Sequence, residues 1–189
     1  MSRAFVFLAQ GFEETEAVTV IDILRRAGSD VHVVSIGETY QVTGSHGICL
    51  VADFLFEEVD YSDGSMLLLP GGMPGAMNLN HHQGLRNLIL EYNGNGRLLG
   101  AICAAPLVLG TLGILESRKA TCYPGYESYL QGSFLVNEPV VTDGHILTGN
   151  GAGSAMAFAL KAAAMLEGNE KARKVAEKML FGFDRSDRF

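Results

Sequence analysis

Short apolar runs alternating with stretches of helical period constrain this chain more than any other feature. Residues 4–8, 31–36, 66–69 and 98–102 are largely apolar and of strand length. Between the first two, Ala17, Val20, Ile21 and Leu24 recur at the i, i+3, i+4 and i+7 spacing of a helix with one buried face, and Gly28 closes it. Strand, helix, strand is the pattern of a parallel pair, because parallel neighbours need a crossover. The pattern breaks over residues 40–53, where Gly44 and Gly47 predict a hairpin. It resumes with helices near 84–92 and after 103, the second marked by Ala105, Val108, Leu109 and Leu112 and ended by Gly113. Short strands are expected at 120–123, 139–142 and 146–148, then an alanine-rich helix around Ala159, Ala162, Ala163 and Leu166, and a charged helix over 169–180. The expectation is an α/β fold with a mostly parallel central sheet, as one domain over 1–189 with neither linker nor repeat.

Composition narrows the function. A net charge of −7 leaves no basic stripe for phosphates, so no obligate nucleic-acid partner is expected. No apolar run approaches the ~20 residues of a membrane helix, so no membrane partner is expected either. The opening MSRAFVFLAQGFEE is interrupted by Gln10 and has no small-residue cleavage site; it reads as a first buried strand, in a cytoplasmic protein. Three cysteines without CxxC spacing argue for reduced thiols, and His46, His81, His82 and His145 are too scattered for metal spacing. Neither metal nor cofactor is expected. Gly149, Gly151 and Gly153 follow a strand and open a helix, but a dinucleotide fingerprint needs a further strand beyond that helix.

Ligands of open α/β sheets bind outside the carboxyl ends of the strands. Three such ends are unusual here: GFEETE after the first strand, PGGMPGA after the strand ending at Leu69, and CAAP after the strand ending at Ile102. Cys103 sits between strand and helix, where unpaired N–H groups and the helix dipole favour thiolate. A small buried hydrophobe is the competing reading of Cys103. Glu16, on the first turn after strand one, can face the same crevice. Ionised, it would raise the cysteine pKa; protonated, it would donate to the thiolate and shuttle protons. Glu13 and Glu14 read as a solvated acidic helix start. Gly71, Gly72 and the N–H of Ala104 can surround a ligand oxygen as backbone donors, with a plain tight turn as the alternative. Tyr123 and Pro124 end a strand and line the crevice, whereas Cys49 and Cys122 read as core or interface packing.

Together FLAQGFEETEAV, RRAG, LLLPGGMPGA, GAICAAP, TCYP and ILTGNGAGSA resemble the ThiJ/PfpI superfamily, in its parkinsonism-associated deglycase branch, over nearly the full length. The resemblance implies a flavodoxin-like three-layer sandwich, a homodimer, and Cys103 on a strained nucleophile elbow. It implies Glu16 as a protonated partner of the thiol, with Gly71, Gly72 and Ala104 as donors around it. It also implies cofactor-independent conversion of methylglyoxal or glyoxal, or of their glycated adducts, to a hydroxy acid. Two positions depart from the family: Tyr123 stands where many relatives have histidine, and His46 where the parkinsonism-associated protein has an arginine near the partner subunit's pocket. The same residues serve a second reading, an oxidative-stress sensor or chaperone that records Cys103 oxidation. A peptidase or amidase comes third, because Ala104 stands where that branch has the histidine that would activate the thiol.

Overall fold

In the computed structural model, residues 2–182 are described. The single-domain expectation over 1–189 extends to Met1 and residues 183–189, which lie outside them. Strand β1 (Arg3–Leu8) leads into α1 (Glu14–Ala27) and β2 (Asp30–Ser35); the hairpin β3 (Gln41–Thr43) and β4 (Cys49–Val51) precedes β5 (Phe54–Leu55). The middle of the chain supplies β6 (Met66–Leu69), α2 (Gly75–His81), α3 (Gln83–Gly94), β7 (Leu98–Ile102) and α4 (Pro106–Thr111). Then come β8 (Lys119–Ala120), β9 (Phe134–Leu135), β10 (Val140–Asp143), β11 (Ile146–Gly149), α5 (Ala155–Glu167) and α6 (Asn169–Lys178).

Seven strands form one sheet in the order β10-β11-β7-β6-β1-β2-β5, parallel throughout except for β10 against β11. Its inner order, β2-β1-β6-β7-β11, is that of the flavodoxin-like doubly wound fold, with the topological switch between β1 and β6. Alternation along each strand builds two cores. Phe5 and Phe7 of β1, Leu67 and Leu69 of β6, and Leu99 and Ala101 of β7 pack beneath α2, α3 and α4. Ala4, Val6, Leu8, Met66, Leu68 and Ile102 pack against α1, α5 and α6 on the other face. Strands buried on both faces read as continuous apolar runs, which explains their clarity in the sequence. The result is the three-layer sandwich expected.

Three local features differ from the expectation. The segment 75–81 is helical although it carries Gly75, Asn78 and Asn80; Ala76 and Leu79, both fully buried, hold it against the core. The strand expected at 120–123 pairs only at Lys119 and Ala120, with β9. The helix after Cys103 is shorter than its apolar spacing suggests, six residues beginning at Pro106. Beyond α5 the chain enters α6 rather than a further strand, so the glycines after β11 do not open a nucleotide-binding βαβ unit.

Candidate active site

Three loops meet where β1, β6 and β7 end. At β7 the chain turns sharply: Cys103 adopts φ 63°, a left-handed conformation shared among the described non-glycine residues only by Ser117 and Leu180. A side chain there is strained and needs surrounding structure to hold it. Backbone bonds on both sides do so, since the Cys103 N–H donates to the Gly149 carbonyl (2.9 Å) and the Tyr123 N–H donates to the Cys103 carbonyl (2.8 Å). This is the elbow expected from the sequence. Gly71 lets the β6 loop pass directly beneath it: a Cβ at Gly71 would lie 2.6 Å from the Cys103 Cβ and 2.9 Å from the Ile102 carbonyl oxygen.

Glu16 reaches the elbow from the first turn of α1. It lies on the stripe Glu16, Val20, Ile23 and Ala27 that faces the interior, and it is fully buried. The Gly71 N–H donates to its Oε2 at 2.7 Å, while Oε1 has no hydrogen-bond partner. Gly71 therefore serves the pair by holding Glu16, and the backbone donors facing sulfur are those of Gly72 and Ala104. Burial drives the Glu16 pKa up to about 7, with the nearby Glu13 charge adding to the rise; the Gly71 N–H and the neighbouring Cys103 thiol restrain it. Burial and the Glu16 charge push Cys103 up to about 12, against the pull of the Gly72 and Ala104 N–H groups. The two side chains are coupled, yet as placed they make no hydrogen bond of good geometry, which leaves Oε1 open. Burial thus pushes both groups toward their protonated forms. Helix α4, short and begun three residues beyond Cys103, adds little field to offset burial.

Glu14 overturns another expectation. Instead of a solvated helix start it is buried, 5% exposed, beneath the β3–β4 hairpin. It accepts from the His46 N–H (2.7 Å) and Ile48 N–H (3.3 Å) and pairs with the His46 Nδ1 at 2.9 Å. Burial alone would raise its pKa; the His46 ring and the N–H groups of Glu14, His46 and Ile48 hold it down at about 2. His46 in turn is raised by the Glu14 hydrogen bond and by the Glu13 and Glu14 charges. Gly44 is required here, because a Cβ would overlap the Glu14 carboxyl. His46 thus fastens the hairpin to the GFEETE loop and remains exposed. Ligand atoms of Glu13, Glu14 and His46 lie within 4.8 Å of one another, but Glu14 spends its oxygens on the hairpin. Tyr123 is half exposed, its ring over Gly151, and Pro124 lines a separate hollow beside it. Cys122 is buried and Cys49 exposed on the hairpin.

A strained cysteine beside a buried carboxyl at the sheet's carboxyl edge invites comparison with known proteins. The model of the DJ-1/PfpI family matches residues 2–165. The chain belongs to the DJ-1/PfpI family. Within it, Protein DJ-1 homolog B of Arabidopsis thaliana is 40% identical over 176 residues, which are 92% of this chain and 40% of that relative. This chain thus spans less than half the length of that relative. Toxoplasma gondii DJ-1, solved in an oxidised form, superposes with a TM-score of 0.93 at 36% identity, over 97% of this chain and 100% of the other. A Caenorhabditis elegans relative named glutathione-independent glyoxalase DJR-1.2 is 30% identical over 168 residues, 88% of this chain and 89% of its own length. The family therefore includes glyoxalase-type enzymes. Among the described residues, no helix is long and apolar enough to cross a membrane.

Proposed function

We propose that this chain is a cofactor-independent glyoxalase or deglycase, acting on methylglyoxal, glyoxal or their adducts through Cys103 and Glu16. The observation that carries the reading is Glu16: a fully buried carboxyl beside the elbow cysteine, with its pKa raised to about 7. An acid/base poised near the working pH is what repeated proton transfer requires. The Cys103 sulfur adds to the aldehyde carbon of methylglyoxal as its proton passes to the Glu16 carboxylate, which returns a proton to the new alkoxide. The product is a hemithioacetal. Glu16 then removes the hydrogen from the former aldehyde carbon to give an enediolate, the hydroxyl proton passes from that carbon's oxygen to the former ketone oxygen, and Glu16 protonates the former ketone carbon to leave a lactoyl thioester. Water hydrolyses the thioester to lactate and the free thiol. Gly72 and Ala104 N–H groups stabilise charge on sulfur during addition and release. Deglycation is the same chemistry entered from an adduct. The reading includes a single domain, a homodimer and a cytoplasmic location.

The test is methylglyoxal loss with lactate formed in equal amount. Because the carboxylate starts each cycle, kcat/KM is expected to rise with pH through about 7 and then level off. Turnover that falls across the same interval would remove Glu16 as the base.

A second reading draws on the oxidised Toxoplasma relative: Cys103 consumes two equivalents of peroxide and becomes a sulfinate, with two waters released. Mass spectrometry after mild peroxide should find two added oxygens on Cys103. Equal oxidation at exposed Cys49 would count against a sensor.

A further inference from the structure

Beside the elbow lies a hollow of about 310 Å³, lined by Cys122, Pro124, Glu127, Leu135, Asn137 and Asn150 among others. The proton transfers above make no use of it. Two backbone bonds attach it to the nucleophile. Pro124 follows Tyr123, whose N–H donates to the Cys103 carbonyl, and Asn150 follows Gly149, whose carbonyl accepts from the Cys103 N–H. Each is one residue from a group bonded to Cys103, so the hollow adjoins the backbone that holds the elbow.

Its chemistry is specific in sign. From Thr121 to Asn137 the only charged residue is Glu127. Its Oε2 accepts from the Gly125 N–H at 2.7 Å, which fixes the exposed carboxylate at the wall. That charge is felt inside the hollow: after burial, it is what raises the Cys122 thiol, to about 11. Arg118, just upstream, is engaged with Asp143. Asn137 and Asn150 add side-chain amides, and Pro124, Leu135 and Val136 give an apolar wall. A carboxylate and amide acceptors suit the guanidinium of arginine, whose aliphatic stem the apolar wall would cover.

We infer that this hollow is an extension subsite that binds an arginine side chain of a peptide whose adduct is presented to Cys103. The inference rests on the glyoxalase or deglycase reading and gives it a substrate class: adducts carried on basic peptide segments, over free dicarbonyls.

Two peptides test it, identical except that arginine or glutamine neighbours a methylglyoxal-modified cysteine. Turnover of each is compared with that of free methylglyoxal in wild type, Glu127→Gln and Glu127→Lys. In parallel, calorimetry measures binding of the unmodified peptides to Cys103→Ala protein with and without Glu127→Gln. Wild type should favour the arginine peptide by about two- to fivefold at low salt, as one exposed charge contact allows, and less at high salt. Glu127→Gln should remove the preference and Glu127→Lys reverse it, with free methylglyoxal turnover unchanged. Turnover without an arginine preference, or a preference that survives Glu127→Gln, overturns the subsite alone. If no substrate is turned over while the calorimetric preference depends on Glu127, the subsite stands and the catalytic reading falls.

Discussion

Cys103→Ala should bring methylglyoxal consumption down to the rate of protein-free solution, a loss of roughly 10⁴-fold or more, as removing an attacking nucleophile does elsewhere. No other thiol can replace it. Cys49 is exposed on the hairpin and Cys122 is buried, and neither stands beside Glu16 as Cys103 does. The fold should survive. The bonds that hold the elbow, from the Cys103 N–H to Gly149 and from the Tyr123 N–H to the Cys103 carbonyl, belong to the backbone and persist with alanine. Alanine also bears the same left-handed strain as cysteine. Steady-state methylglyoxal loss and a thermal melt, run side by side, separate the two effects. A variant that melts like wild type and still turns over methylglyoxal would return Cys103 to the competing reading, a small buried hydrophobe.

That competing reading was open because a thiol at a strand end carries no mark of its backbone angle. The sandwich was more legible. In β1, β6 and β7, burial on both faces leaves apolar runs that admit no other element. Glu16 was legible from its place on the first turn after strand one, beside the crevice where such sheets bind ligands; the fold adds that it stands on the inward stripe of α1 with Val20 and Ile23. Glu14, two residues earlier, stands off that stripe. What buries it is the β3–β4 hairpin, some thirty residues along the chain, and no local pattern records such cover. Helix α2 escaped for the same kind of reason, because Gly75, Asn78, Asn80 and His81 are poor helix formers and tertiary packing of Ala76 and Leu79 decides the conformation.

The surroundings that shift each group of the pair were likewise outside the reach of sequence. They are set by how deeply each group is buried and by which acceptor takes the Gly71 N–H. A glycine pair after a strand looks the same whether its donors face a substrate or a neighbouring glutamate. Only the folded chain shows Gly71 committed to Glu16, with Gly72 and Ala104 left for sulfur.

Glu16→Gln should lower kcat/KM by about 10²–10⁴-fold, the range for losing a positioned acid/base, while making the protein more stable above neutrality. Glutamine keeps an oxygen for the Gly71 N–H and keeps the side-chain volume, but it cannot move a proton. The stability gain follows from the raised pKa. The carboxyl titrates near 4.5 as a free group and at about 7 in the fold, so between those values the native state holds the proton more tightly than the unfolded chain. Unfolding free energy therefore falls as pH rises from about 4.5 to about 7, by an amount on the order of 3 kcal/mol. Above that interval the fold carries a buried carboxylate whose Oε1 has no partner. Glutamine removes this penalty, so the variant should melt higher than wild type at pH 8, with the difference vanishing toward pH 4.5. Denaturant unfolding at the two pH values, beside the kinetics, checks both halves. A variant that loses activity and also loses stability at pH 8 would mean that Glu16 is structural, held for the contacts its carboxylate makes. Loss of activity with a gain in stability is the signature of a charge kept at the site for its chemistry.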